Sequence, residues 1–296
     1  MTTVGLIGLG AMGSGMAQSL RRAGHTVHVF DVRREVAEAF ARDGGVACAS
    51  PAELGTHCDV VVSVVVNAVQ TEAVLFGTQG CAQHMKPGSV FVMCSTVDPS
   101  ASVALEARLQ TLGLRYIDAP ISGGAARAMS GQITMMTAGQ PEAYAVAEPF
   151  LNAMAAKVYR LGDQAGAGSQ VKIINQLLAG VHIAAAAEAM ALGLRQGLDA
   201  QALYDVITHS AGNSWMFENR MAHVLAGDYT PLSAVDIFVK DLGLVLDMAR
   251  ASKFPLPLSS TAHQMFMQAS SAGFAQEDDS AVIKIFPGIE LPKGKA

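Results

Sequence analysis

The first half of the chain alternates short apolar, β-branched runs with longer segments of helical periodicity. The runs that predict strands are Val4–Ile7, His25–Phe30, Val60–Val66, Val90–Cys94, Arg115–Ile117, Thr134–Ala138 and Lys157–Leu161. Strands that alternate with helices are typical of a parallel sheet with helices on both faces. The pattern therefore predicts an α/β fold built on one doubly wound sheet.

Strand-like runs stop at about Asp163, and only helical periodicity follows. The first and longest helix begins after Gly166 and Gly168 and runs to about Arg195. Further helices are predicted at Asp199–Ser210, Trp215–Ala226, Pro231–Ser252 and Ser259–Ala272. We therefore predict two domains, residues 1–163 and an all-α C-terminal domain at residues 164–296, joined by this long interdomain helix.

Composition narrows the class of protein. Of the 296 residues, 51% are hydrophobic and 15% are charged, which is enough apolar material for a core and argues against disorder. The net charge of −5 and the absence of Lys or Arg runs argue against binding to nucleic acid or to a membrane surface. The most apolar later run contains His182 and Glu188, so we predict a buried helix rather than a membrane span.

Cysteine and histidine usage points to a cytoplasmic protein without a metal. The four cysteines form no CxxC pair, so buried thiols in a reducing compartment are favoured over disulfides. The eight histidines show no spacing typical of metal ligands, and no metal site is expected.

A G-x-G-x-x-G motif lies where the first predicted strand meets the first helix. Its glycines allow a tight turn, close approach of a pyrophosphate, and close packing of helix on strand. An acid, Asp31, follows the second strand, as in Rossmann-type folds. The predicted dinucleotide-binding residues of the turn are Gly8, Leu9, Gly10, Ala11, Met12 and Gly13.

Asp31 also bears on which dinucleotide binds. Its carboxylate is expected to accept hydrogen bonds from the adenosine ribose and to repel a 2′-phosphate, which favours NAD over NADP. Arg33 and Arg34 weaken this preference, because an arginine is a good partner for the extra phosphate. The alternative for both arginines is a solvated helix start.

Polar residues follow several predicted strands. In doubly wound sheets, ligands bind at the carboxyl ends of the strands. By position alone, the candidates for a site are Asn67, Ser95, Thr96 and Ser122.

The start of the long helix carries candidate chemistry. An NAD fold implies hydride transfer, and the oxygen on the reacting carbon needs a proton donor or acceptor. Lys172 and Asn175 lie one turn apart on one helix face, and a desolvated lysine can exchange a proton near neutral pH. Taken alone, a lysine in a helix is more often a solvated surface residue.

Four motifs in order resemble the β-hydroxyacid dehydrogenase family over nearly the whole chain. They are Gly5–Gly13, the loop Asp118–Gly124, the segment Gly166–Asn175 with its Gly-x-Gly-x-x-x-Lys-x-x-Asn pattern, and Lys240–Asp241. The resemblance implies that the protein is an NAD-dependent dehydrogenase of a small hydroxy acid.

The resemblance also implies roles for individual residues. Lys172 would be the general acid/base, with Asn175 beside it in substrate binding. The turn Ser122, Gly123 and Gly124 would hold the substrate carboxylate, for which a glycine turn is a suitable anion nest. Thr96 would lie on the nicotinamide side and Lys240 would reach the cofactor. Without the motif, Lys240 and Asp241 would be read as a surface ion pair, and Trp215 is expected in the core.

Two positions depart from the common family pattern. Gln176 stands where many members have a second Asn, and Arg127 follows the Ser-Gly-Gly turn, where it can meet a polar substrate. With the run from Lys172 to Met190, these residues look most like the L-threonate dehydrogenase branch, whose substrate has additional hydroxyls for Gln176. Dehydrogenases of 3-hydroxyisobutyrate and reductases of tartronate semialdehyde are the runners-up.

Two functions of other classes remain as alternatives. A non-catalytic NAD sensor would need no proton donor, which disfavours it, and an imine reductase is disfavoured by the lysine at the donor position. The long apolar helices of the second domain make a homo-oligomer, a dimer or tetramer, the expected state.

Overall fold

The computed structural model describes residues 3–293 and divides into two units, Met1–Lys172 and Ile173–Ala296. The division falls inside the long helix rather than before it. The first turn of that helix is hydrogen-bonded to Asp118 of the first unit, which accounts for this position.

The first unit is built on a six-stranded parallel sheet with the order β3-β2-β1-β4-β5-β6. Its strands are β1 (Val4–Ile7), β2 (Val27–Phe30), β3 (Val46–Ala47), β4 (Val60–Ser63), β5 (Val90–Met93) and β6 (Arg115–Asp118). The crossover helices are α1 (Ala11–Arg22), α2 (Arg34–Arg42), α3 (Pro51–His57), α4 (Ala68–Phe76) and α5 (Pro99–Thr111). The predicted Rossmann-type sheet is confirmed.

Side chains that alternate along the central strands build a core on each face of this sheet. Leu6, Val62 and Val92 belong to one apolar cluster, whereas Ile7 and Phe91 belong to the other. All four cysteines are buried free thiols, as the sequence indicated. Burial raises the pKa of each of these thiols, to about 11 for Cys48 and about 12 for Cys58 and Cys81.

A second, three-stranded sheet corrects the expectation of a single sheet. It consists of β7 (Ile121–Ser122), β8 (Ile133–Thr137) and β9 (Ala155–Arg160), with β7 antiparallel to β8. The chain passes from β6 to β7 without a helix, and a parallel neighbour needs a crossover connection. β7 therefore cannot be the next parallel strand of the first sheet, and an antiparallel bridge between Asp118 and Ala138 links the end of β6 to the residue after β8. The helices α6 (Gly124–Ser130) and α7 (Pro141–Met154) connect the three strands of the second sheet.

The predicted strand over residues 60–66 is too long. The strand β4 ends at Ser63, and the next residue meets the glycine turn, because a Cβ added to Gly8 would lie 3.0 Å from the carbonyl oxygen of Val64. Asn67 instead caps α4, where its side chain accepts a hydrogen bond of 2.9 Å from the amide of Gln70.

The second unit is helical, as predicted. The helix α8 (Ala167–Arg195) leads into α9 (Ala200–Thr208), α10 (Trp215–Ala226), α11 (Val235–Ala251) and α12 (Pro257–Ala269), followed by a π-helical segment at Ser270–Phe274 and a 3-10 helix at Asp279–Ile285. α8 is apolar and long enough to cross a membrane by length and composition, but half of its most apolar window is buried inside the protein. Such burial is typical of a core helix.

Candidate functional site

The turn between β1 and α1 needs each of its three motif glycines for a different reason. Gly8 has a φ of +95°, which an L side chain rarely adopts. A Cβ on Gly13 would lie 1.8 Å from the carbonyl oxygen of Gly8, so only glycine lets the helix pack there. Among residues 3–293, no atom would lie within 4 Å of a Cβ on Gly10. Gly10 therefore leaves an open position at the start of α1, which suits a pyrophosphate.

Asp31 is bound to this turn. Its carboxylate, 9% exposed, accepts hydrogen bonds from the amide of Leu9 at 2.7 Å and the amide of Arg33 at 2.9 Å. The Leu9 amide is thus already hydrogen-bonded to Asp31. By helix geometry, the first N–H groups of α1, which include those of Ala11 and Met12, have no intrahelical acceptor and can meet a phosphate.

The arginines near Asp31 differ in their partners. Arg33 Nε lies 3.3 Å from the Asp31 carboxylate, so its charge faces the acid. Arg34 pairs instead with Glu38 at 2.7 Å on the exposed face of α2. Arg33, which the sequence offered as a partner for a 2′-phosphate, therefore pairs with Asp31.

Hydrogen bonds also link the loop after β4 to the loop after β5. The hydroxyl of the buried Ser95 donates to the carbonyl oxygen of Val65 at 2.7 Å and lies 3.1 Å from the hydroxyl of Thr71. Thr71 in turn donates to the carbonyl oxygen of Asn67 at 2.9 Å. Ser95 and Asn67 thus stabilise these loops through hydrogen bonds. Thr96, the residue after Ser95, is half-buried.

The Ser-Gly-Gly turn requires glycine at two successive positions. Gly123 and Gly124 have φ values of +138° and +78°. A Cβ on Gly123 would lie 3.1 Å from both Cβ and Cδ of Arg127, so the stem of Arg127 covers the turn. Ser122 is half-buried and Arg127 is exposed. The structure thus brings the two predicted elements, turn and arginine, together.

The helix that follows this turn packs closely on the helix of the dinucleotide motif. A Cβ on Gly15 of α1 would lie 2.5 Å from the backbone nitrogen of Met129 in α6. The Ser19 hydroxyl donates to the carbonyl oxygen of Ala128 at 2.9 Å. Sequence reasoning missed Gly15 and Ser19, although a glycine and a serine at i and i+4 on α1 mark a face that admits close contact.

Asp118 joins the sheet to the first turn of α8. Its fully buried carboxylate accepts hydrogen bonds from the amide of Gly166 at 2.9 Å, and from the amide and hydroxyl of Ser169 at 2.9 and 2.7 Å. Burial raises the pKa of Asp118, and the hydrogen bonds from Ser169 and Gly166 oppose that rise. Lys172, 7% exposed, follows Ser169 by three residues on the same helix. The strand before the Ser-Gly-Gly turn thus fixes the helix start that carries Lys172.

A second polar cluster lies within the second unit. Asp241, 2% exposed, accepts hydrogen bonds from Lys240 Nζ and Gln176 Nε2, each at 2.5 Å. Asn175 Nδ2 donates to Gln176 Oε1 at 3.0 Å. The reading of Lys240 and Asp241 as a surface ion pair is therefore wrong, because the carboxylate is buried and shared.

Trp215 also corrects an expectation. Its side chain is 49% exposed rather than part of the core. It is the first residue of α10, after the N-cap Ser214, whose side chain accepts from the amide of Phe217 at 3.0 Å. Phe217, 4% exposed, enters the core in its place.

Comparisons with known proteins cover both units. Residues 3–162 match the family described as the NAD binding domain of 6-phosphogluconate dehydrogenase. Residues 166–286 match the family described as NAD-binding of NADP-dependent 3-hydroxyisobutyrate dehydrogenase. The two matches meet at the start of α8.

Individual relatives match almost end to end. The chain is 71% identical to an L-threonate dehydrogenase of Cupriavidus necator, over 99% of this chain and 98% of that one. It is 51% identical to an L-threonate dehydrogenase of Escherichia coli strain K12, over 99% and 97%. A crystal structure described as 3-hydroxyisobutyrate dehydrogenase from Salmonella typhimurium is 53% identical, with a TM-score of 0.93, over 97% of this chain and 100% of that one.

Proposed function

The chain belongs to the β-hydroxyacid dehydrogenase family, and we propose that it oxidises L-threonate to the 2-oxo acid with NAD. The protein is accordingly a nicotinamide-dependent dehydrogenase of a hydroxy acid. The observation that carries the proposal is the hydrogen bonding of Asp118 to Ser169, which ties the strand before the Ser-Gly-Gly turn to the helix start that carries Lys172. The L-threonate branch rests on relatives of that name at 51–71% identity.

In the proposed reaction, each residue has one task. The turn Ser122–Gly124 binds the substrate carboxylate through backbone N–H groups, with Arg127 beside it. Lys172 takes the proton of the C2 hydroxyl as a general base, and Asn175 holds the substrate. When bound, the nicotinamide cofactor accepts the hydride from the same carbon.

The cofactor would be held by Gly8–Gly13 and Asp31, with Asn67, Thr96 and Lys240 as further contacts. The open position at Gly10 supports this assignment, since it has the space that a pyrophosphate needs. We propose NAD rather than NADP, because Arg33 is already held by the Asp31 carboxylate and that carboxylate would repel a 2′-phosphate. We propose residues 1–163 as the NAD-binding domain, which also supplies the Ser122–Gly124 turn, and residues 164–296 as the domain for substrate binding through Lys172 and Asn175 and for oligomerisation.

A panel of acids, each with NAD and NADP, tests this proposal. Production of NADH or NADPH is measured with L-threonate and 3-hydroxyisobutyrate, and tartronate semialdehyde is offered in the reducing direction. We expect the highest kcat/KM with L-threonate and NAD. A higher kcat/KM with 3-hydroxyisobutyrate or tartronate semialdehyde would identify that acid as the substrate in place of L-threonate. Faster turnover with NADP would contradict the role of Asp31. Clear NAD binding without turnover of any acid would favour a sensor.

We also propose a homo-oligomer, a dimer or tetramer, in the cytoplasm. One face of α8 is apolar and exposed at Ile174, Leu178 and Leu192, which are 49%, 51% and 61% exposed. Such a stripe favours association with a second copy. We expect Ile174→Asp to lower the mass measured by light scattering, and Val69→Asp on the exposed α4 to leave it unchanged. A monomeric parent would contradict the proposal. The four buried thiols suit a reducing compartment.

A further inference from the structure

Side-chain hydrogen bonds in the second unit form a line from Asp241 to Asn175. Asp241 Oδ2 accepts from Gln176 Nε2 at 2.5 Å, and Gln176 Oε1 accepts from Asn175 Nδ2 at 3.0 Å. Gln176 and Asp241 are 8% and 2% exposed, whereas Asn175 is half-buried. Gln176 thus connects a buried charge to the residue that the proposed function places on the substrate.

The Asp241 carboxylate determines which group donates and which accepts in each of these hydrogen bonds. An ionised carboxylate can only accept hydrogen bonds, so the amide of Gln176 must turn its NH₂ group towards Asp241. Its carbonyl oxygen then faces Asn175, which must in turn direct its own NH₂ group at Gln176. The carbonyl oxygen of Asn175 consequently points to the other side of that amide. An amide that is otherwise free to flip is held in one orientation.

The length of Gln176 matters for the same reason. An asparagine at this position would withdraw the amide by one methylene, about 1.5 Å. A hydrogen bond stretched by that amount no longer meets the distance limits for N–H···O contacts. The contact with Asp241 would be lost, and the amide of Asn175 would lose the acceptor that orients it.

We propose that Gln176 and Asp241 are positioning residues that present the carbonyl oxygen of Asn175 as an acceptor, and so select hydroxy acids with a hydroxyl besides the one oxidised. The proposal rests on the proposed function, in which Asn175 contacts the substrate. A site built to accept a hydrogen bond from a substrate hydroxyl discriminates strongly against an analogue that lacks it, because the buried acceptor is left unpaired.

Asp241 has a second partner, which separates its role from that of Gln176. Its other carboxylate oxygen accepts from Lys240, a proposed cofactor contact. Loss of Gln176 removes the link to Asn175 and leaves the hydrogen bond from Lys240 to Asp241 in place. Loss of the Asp241 charge releases both Gln176 and Lys240. Substitutions at the two positions therefore have different effects on substrate and cofactor.

The test measures substrate selectivity and cofactor binding together. Selectivity is the ratio of kcat/KM for L-threonate to that for 3-hydroxyisobutyrate, which lacks the extra hydroxyl. We expect Gln176→Asn to lower this ratio by about tenfold or more, mainly through a higher KM for L-threonate, while the Kd for NADH stays within about twofold. We expect Asp241→Asn, which keeps the shape of the side chain, to lower the ratio and also to raise the Kd for NADH.

The control is Gln201→Asn, which breaks a hydrogen bond of the same type, from Gln201 to Asp205 at 2.9 Å, on the exposed face of α9. This variant is expected to change neither the selectivity ratio nor the Kd for NADH. A folded Gln176→Asn variant whose ratio stays within about twofold of the parent would overturn the proposal. So would an unchanged ratio in Asp241→Asn if Gln176→Asn does not fold. If the parent fails to oxidise L-threonate, the proposed function fails, and the positioning role is then judged by the KM of each variant for the acid that the parent prefers.

Discussion

Asp118 holds Ser169 by two hydrogen bonds, one to its amide at 2.9 Å and one to its hydroxyl at 2.7 Å. The two residues are 51 positions apart in the chain, and the acid is fully buried. A Cβ on Gly168 would lie 2.4 Å from the carbonyl oxygen of Met136, so the start of α8 also packs closely against the second sheet. The first turn of α8 is thereby fixed just before Lys172.

We expect Asp118→Asn to destabilise the protein by about 1–3 kcal/mol, because the charge that strengthens three hydrogen bonds is lost and the Ser169 hydroxyl would have to accept from the new NH₂ group instead of donating. Turnover should also fall, since a catalytic group displaced by about 1 Å can lose about 10²-fold in rate. Ser169→Ala, which removes only the hydroxyl bond, should cost about 1 kcal/mol. Urea unfolding and steady-state kinetics measure both effects. Parental stability and turnover in Asp118→Asn would contradict the role given to this acid.

The glycines of the dinucleotide turn should separate folding from cofactor binding. Gly10 has a φ of −69°, and a Cβ there would lie more than 4 Å from every atom in the described part of the chain, so Gly10→Ala should keep the parental Tm. Its methyl group would occupy the space expected for a pyrophosphate, so the Kd for NADH should rise by about tenfold or more. Gly13→Ala should lower the Tm, because its Cβ would clash with Gly8. Unchanged NADH binding in Gly10→Ala would show that the cofactor does not approach this position.

The stability of the second unit should depend on pH through His223. Its Nδ1 lies 3.3 Å from the Asp278 carboxylate, and this hydrogen bond raises the pKa of His223 against the effect of burial. A raised folded pKa means that the stabilisation is complete below about pH 6.5 and is lost as pH rises through the folded value. Asp279, whose pKa burial raises to about 6, loses its own contribution over a lower range, above its ordinary pKa of about 4.

The measurement is urea unfolding between pH 6 and 8, followed by the fluorescence of Trp215, the one tryptophan of the chain, which lies on the same helix as His223. The parent should lose stability as pH rises over this range, and His223→Gln should lose less. Parallel curves for the two proteins would show that His223 does not carry the effect.

Local patterns predicted the elements that local sequence determines. The glycine spacing before α1 gave β1, α1 and β2, and the helix predicted at Trp215–Ala226 has those bounds in the structure. The separate sheet of β7, β8 and β9 was missed, because β-branched runs alone do not reveal which strands pair. Lys172 and Asn175 were predicted from the family motifs, because a lysine in a helix is by itself typical of a solvated surface.

The supporting contacts of the site were beyond the sequence because they join distant positions. Gln176 and Asp241 are 65 residues apart, and Ser19 and Ala128 are 109 apart. No periodicity connects such pairs, and without the family motif Lys240 and Asp241 predict only a surface ion pair. Burial, which only the folded chain reveals, changes its interpretation.

Turnover in Lys172 variants, measured with NAD binding, tests the central claim most directly. Lys172→Ala removes the proton acceptor, and Lys172→Arg keeps the charge in a group that does not release its proton in proteins. We predict that both lose about 10²–10⁴-fold in kcat with L-threonate while the Kd for NAD stays near the parental value, and that Lys157→Ala on the exposed part of β9 has no effect. Turnover of Lys172→Ala within about threefold of the parent would contradict the assignment of Lys172 as the general acid/base.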